Sequence, residues 1–199
     1  MNDMEKYDEG KAIELGKIWM KNGINRGHDY EHASEVEKHA IEIMRSLERE
    51  GRLEKEIDKE LISISVWWHD SYKARIKGWT LYGLIMEAYE SEKIVRRELK
   101  EYVSPKRLEK AARAIRDHNL PIWYFLLTGK YPQVSQILFE ADTIEELSTD
   151  RFFRSLNMSR NRIFTFLFKL YSMNRIFWWK FLPNSKYTQN VINEYKNSL

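Results

Sequence analysis

Apolar residues recur at helical spacing along nearly the whole chain, and the strict alternation of a half-buried strand is scarce. The first run predicts a helix from about Met4 to Trp19, stopped near Asn22-Gly23. Asn25 to Asp29 reads as a loop. Val36, Ala40, Ile43, Met44 and Leu47 then share one face of a second helix, which Gly51 ends. A third helix is expected over Leu53 to His69. Ile57, Leu61, Ile64 and Trp68 line one stripe, and Ile62 and Val66 add apolar groups elsewhere, so this helix is expected to be buried on most sides. A loop over 71–80 leads to a fourth helix, Leu81 to Lys100. Ser104-Pro105 reads as an N-cap followed by proline at the first helical position. It opens a fifth helix that reaches His118 and is broken before Pro121. The aromatic loop Pro121 to Phe125 precedes a sixth helix, Gln133 to Leu147. Beyond Arg151 the pattern is again helical. The expected architecture is all-α: one helical domain over 1–150, with a basic, aromatic helical extension over 151–199 packed on it.

Several polar residues fall on faces that should point inward. His32 continues the apolar stripe of the second helix, four residues before Val36. His69 and Asp70 close the third helix. His118 follows Ile115 by three residues, and Asp142 follows Leu138 by four. Burying such groups unpaired costs several kcal/mol, and one shared metal ion would satisfy them together. Two imidazole nitrogens and two carboxylate oxygens suit Mn, Fe, Co, Ni or Zn. The chain has no cysteine, so a thiolate metal site, a disulfide framework and a cysteine nucleophile are excluded. No Walker loop and no glycine-rich dinucleotide turn occurs either.

Charge changes the picture at one end. The net charge is +3, yet residues 151–199 hold nine Lys/Arg against the single acid Glu194, a net +8, which leaves −5 for the first 150 residues. Ten aromatic residues lie between Arg151 and Leu182, interspersed with Arg160, Arg162, Lys169, Arg175 and Lys180. Three uses fit that composition: helices that cover the core, with a homodimer interface compatible; an amphipathic surface for an anionic membrane; or a nucleic-acid contact built from cations and stacking. No stretch reaches about 18 uncharged apolar residues. Met1 to Lys11 lacks the apolar run of a secretory leader. The cytoplasm is the expected location.

The order of the polar residues resembles a known family. Gly27-His28-Asp29-Tyr30-Glu31-His32 with Val36, then Trp67-Trp68-His69-Asp70, then Ala141-Asp142, is similar to the HD superfamily of metal-dependent phosphohydrolases. The resemblance covers roughly residues 25–147. It implies that His32, His69, Asp70 and Asp142 ligate a divalent transition metal. It also implies hydrolysis of a phosphoester or phosphoanhydride, in a nucleotide or similar small phosphorylated compound. Asp70 would ligate the metal and help position or deprotonate the attacking water. Ile115-Arg116-Asp117-His118 resembles a further stretch of some subfamilies, in which a His reaches the site. His118 is thus a candidate catalytic residue: a further metal ligand, a general acid or a substrate contact, set against a satisfied core histidine. The residues after Asp70 are Ser71-Tyr72-Lys73, where Ile/Val-Gly is common in the family. Lys73 and Arg75 follow the doublet closely and are the candidate phosphate contacts. His28 and Asp29 are read as loop and N-cap residues, His39 as structural, and Asp117 as an orienter of His118. Trp123-Tyr124-Phe125 offers either packing or a stacking surface for a base. Two other functions remain open: a di-iron relative that performs oxygen chemistry, and a non-enzymatic module that binds nucleic acid or membrane through 151–199.

Overall fold

The most apolar of the described helices lies at the centre of the fold. In the computed structural model, which describes residues 7–25, 29–76, 81–118, 131–146 and 184–198, every residue from Leu61 to Trp68 is buried. Among the described residues all regular elements are helical. They are α1 (Glu9–Lys21), α2 (Tyr30–Arg49), α3 (Lys59–Trp68), α4 (Leu81–Leu99), α5 (Pro105–Asp117), α6 (Gln133–Glu146) and α7 (Lys186–Ser198), with a short 3-10 turn at Lys73–Arg75. The all-α class read from the periodicity is the class the chain adopts. α3 is surrounded by α1, α2, α5 and α6. α2 packs along α6, α4 pairs with α5, and α7 lies on α2 and α6. Burying a large aliphatic or aromatic side chain contributes about 1.5–3 kcal/mol, and α3 alone buries Leu61, Ile62, Ile64, Val66, Trp67 and Trp68.

Capping sets the helix ends, and it shifts two expected boundaries. α1 begins at Glu9 rather than Met4, because the Asp8 carboxylate accepts the Lys11 N–H at 2.9 Å. α3 begins at Lys59 rather than Leu53. Asp58 caps it, accepting the Leu61 N–H at 3.0 Å, while Ile57 N–H closes a turn onto the Glu54 carbonyl. The apolar register runs through Leu53 and Ile57 without a break, but the backbone does not. Ser104 takes the N-cap position of α5 as expected, yet its side chain makes no capping bond. α2 ends in a Schellman motif: Gly51, at φ 66°, donates to Glu48, and Arg52 donates to Leu47, both at 2.9 Å.

α1 and α3 cross closely at Gly16. A Cβ there would lie 2.7 Å from Trp68 Nε1 and 2.8 Å from Trp67 Cβ. The space lets Trp68 donate to the Ala12 carbonyl at 3.0 Å and pack its ring on Trp19. At the other end of the chain, α7 is fastened by polar contacts. Lys186 N–H donates to Glu50 at 2.9 Å, Tyr187 N–H to Ser46 Oγ at 3.2 Å, and the Thr188 hydroxyl to the buried Glu140. The aromatic and basic run over 151–183 and the Trp123-Tyr124-Phe125 loop lie outside the described residues. No described helix is long and apolar enough to cross a membrane.

Candidate metal centre

Both α3 and α5 end in a histidine, and each turns back on its own helix. The last carbonyls of a helix lack intrahelical partners. His69 Nδ1 lies 2.6 Å from the Val66 carbonyl, and His118 Nδ1 lies 2.5 Å from the Ile115 carbonyl. A carbonyl only accepts, so each Nδ1 carries the proton and each Nε2 is left to face the interior. His32 arrives from the opposite kind of helix end. It is the third residue of α2, its N–H bonded by the capping Asp29 at 3.2 Å, and its Nδ1 lies 2.8 Å from Glu145 Oε2.

These side chains converge in the interior between α2, α3, α5 and α6. His32 Nε2 stands 3.2 Å from His69 Nε2, 3.3 Å from Asp70 Oδ2 and 3.4 Å from Asp142 Oδ1. His69 Nε2 stands 3.4 Å from Asp70 Oδ2 and 3.7 Å from Asp142 Oδ1. No member of this quartet is more than 4% exposed, so bulk water does not screen the group. The His118 ring packs edge-on against His69, with 5.3 Å between centroids, and its buried Nε2 has no hydrogen-bond partner.

The donor set fits a metal ion. Four atoms bonded at about 2.0–2.2 Å to one tetrahedral centre lie about 3.3–3.6 Å apart, close to the His–His and His–carboxylate spacings found. Two imidazole nitrogens at 3.2 Å, each with Nδ1 already donating, repel unless a cation lies between or beside them. Without a metal, a proton takes that part. Burial disfavours a charged His69, but the Asp70 and Asp142 carboxylates outweigh it and raise the group to about 9. Burial, and then the charge on His69, push His118 down to about 4. Two overlapping triads could each hold a cation, His32-His69-Asp70 and His69-His118-Asp142.

A family model for the HD domain matches residues 29–147, more than half of the chain. The chain belongs to the HD domain family. No curated protein and no solved structure matches it. HD domains bind divalent metals, and their family is in general one of metal-dependent hydrolases. In this HD domain the His69-Asp70 doublet is held from two sides. Trp19 of α1 donates to the Ser71 carbonyl at 2.8 Å, and Ser91 of α4 accepts the Tyr72 N–H at 3.1 Å. Ala74 N–H closes the turn onto the Asp70 carbonyl at 2.9 Å.

The two candidate phosphate contacts part company in that turn. Lys73 Nζ lies 3.4 Å from Asp70 Oδ1 and 2.9 Å from Glu87 Oε1, beside the quartet. Burial works against its charge, yet the Asp70 and Glu87 carboxylates hold the ammonium well above the usual lysine range. Arg75 is exposed, with its guanidinium 4.3 Å from the centre of the Trp19 ring. Asp117 does not orient His118. It accepts from Arg116 at 2.9 Å, because the Ile115 carbonyl already holds His118 Nδ1. His39 bonds the Tyr187 hydroxyl at 2.8 Å, a link between α2 and α7. His28 lies outside the described residues. Sequence reasoning missed Glu145 and Glu87. Glu145 follows Asp142 by one helical turn, a spacing that already puts both on one face; Glu87 carries no comparable signal.

Proposed function

We propose that this HD domain is a metal-dependent phosphohydrolase acting on a nucleotide or a similar small phosphorylated compound, in the cytoplasm. The observation that carries the reading is the buried quartet, whose two Nε2 atoms lie 3.2 Å apart and 3.3–3.7 Å from the nearer Asp70 and Asp142 carboxylate oxygens. His32, His69, Asp70 and Asp142 would hold the ion, with Mn, Ni, Co, Fe and Zn all compatible with such donors. A bound ion of this kind lowers the pKa of a coordinated water and polarises a phosphoryl oxygen. The chain's own groups supply the rest. Asp70 Oδ2 faces the two imidazoles and Oδ1 faces Lys73; in this reading Asp70 also helps position or deprotonate the attacking water. Lys73 is the ammonium nearest that carboxylate, and it would meet the negative charge of the phosphoryl group. Arg75, exposed and engaged with Trp19, is the second proposed phosphate contact. His118 presents an unpartnered Nε2 lone pair, which suits it to accept a proton or to ligate; to serve as a general acid it would first have to gain a proton.

The test is a panel of nucleotides and simple phosphoesters, assayed with each of those metals. Metal-stimulated release of phosphate or of a nucleoside product is expected. No turnover of any compound with any metal would remove the reading. Lys73→Met is expected to raise KM about 10- to 100-fold, as loss of a charged hydrogen bond implies, with a smaller effect on kcat. An unchanged KM in steady-state assays would discard Lys73 as the phosphate contact.

A second reading has its own observation. The triad His69-His118-Asp142 shares His69 and Asp142 with the quartet and adds the free Nε2 of His118. Two irons there would turn the domain toward oxygen chemistry. Iron at two equivalents with a visible absorption band would favour that reading, and a single non-redox ion would count against it.

A further inference from the structure

We propose that Glu145 is the positioning residue of the metal centre: it holds the His32 imidazole in the one tautomer and orientation that can ligate. This rests on the metal-centre reading above and adds a residue to it.

The three inward histidines share a requirement and meet it differently. Each must keep its proton on Nδ1 so that Nε2 can face a cation. His69 and His118 sit at helix C-termini, where free carbonyls three residues back accept that proton. Their tautomers are set by the helices they end. His32 has no such carbonyl. It lies in the first turn of α2, where the unsatisfied backbone groups are N–H donors, and the Asp29 carbonyl three residues back accepts from Ala33 at 3.1 Å. The acceptor has to come from elsewhere. It is Glu145 of α6, 2.8 Å away and 113 residues on in sequence, both side chains buried.

Two consequences follow from this partner being a carboxylate. The N-terminus of α2 carries the positive end of the helix dipole, which disfavours a cation at His32 Nε2, and the Glu145 charge offsets it. A ligating imidazole bonded to a carboxylate is also a stronger electron donor than one bonded to a neutral carbonyl. Because Glu145 lies one turn beyond Asp142, one helix face delivers both a ligand and the group that orients another ligand on α2. The distance between α2 and α6 at the centre is thereby tied to the His32 tautomer.

The experiment is titration of metal-free wild type, Glu145→Gln and Glu145→Ala with Co(II), followed by calorimetry and by the visible ligand-field spectrum. Wild type is expected to bind most tightly. Glu145→Ala should bind about 10- to 100-fold more weakly, in line with the loss of such an outer partner, with an altered spectrum. Glu145→Gln keeps an acceptor oxygen but no charge, and should fall between. Circular dichroism of the metal-free forms separates this from a general loss of structure. Wild-type affinity and spectrum in Glu145→Ala would overturn the proposal while leaving the centre intact. Should Glu145→Ala not fold, Glu145→Gln decides, and wild-type affinity there overturns it. No Co(II) uptake by wild type would instead overturn the metal-centre reading, and this proposal with it.

Discussion

Asp70→Asn is expected to abolish metal-dependent hydrolysis while the helices stay intact. The substitution keeps size and planarity and removes the charge. In the native chain that charge faces the two imidazoles through Oδ2, at 3.3 and 3.4 Å, and Lys73 through Oδ1 at 3.4 Å. An amide can offer only one oxygen to those three groups. The Asn NH₂ group would face either the imidazole Nε2 atoms, in the place of a ligand, or the Lys73 ammonium, donor against donor. The expected loss is at least about 10³-fold in kcat/KM, equivalent to about 4 kcal/mol of transition-state stabilisation. Steady-state assays with each metal measure it, and circular dichroism checks the fold. Retention of a tenth or more of the wild-type rate would place the chemistry elsewhere.

Trp68→Ala is expected to cost the most stability of any single change in the central helix. Trp68 is 1% exposed, donates to the Ala12 carbonyl at 3.0 Å and packs against Trp19 at 5.5 Å between centroids. Its neighbour Gly16 leaves no side chain that could move in to fill the space. A loss of about 3–5 kcal/mol is expected, the usual range for deleting a buried tryptophan. It would appear as a Tm lower by roughly 10 °C in a chain of this size. Trp68→Phe should lose about 1 kcal/mol, mainly the indole hydrogen bond. Since Trp68 adjoins His69, the Ala variant should also weaken metal binding. A Tm within a degree or two of wild type would mean that the α1–α3 crossing does not carry the load assigned to it.

The resemblance identified the four residues that the fold brings together, because order and helical register are written in the chain. His32, His69 and Asp142 each sit at a helical step from an apolar neighbour, so the stripe that buries the neighbour buries the polar group too. What periodicity did not show was where backbone and capping groups intervene. Leu53 and Ile57 keep the register of α3, yet Asp58 starts the helix after them. Asp117 stands beside His118 in sequence, but the chemistry of a helix end gives His118 a carbonyl partner instead. Glu145 and Glu87 are ordinary surface-type residues by composition. The i+3 spacing from Asp142 places Glu145 on the inner face, but its partner His32 lies 113 residues away and Glu87 meets Lys73 across a turn, pairings that no local pattern encodes. Arg75 shows the reverse case: near the doublet in sequence, yet placed over Trp19.

The most direct test is metal content, by elemental analysis of wild type and of the His69→Ala/Asp70→Ala double variant, both purified without chelator. Wild type is expected to carry about one or two transition-metal ions per chain, and the double variant none, with the same helical content. If both forms are equally empty after incubation with manganese, nickel and cobalt, the quartet is not a metal centre and the hydrolase reading falls with it.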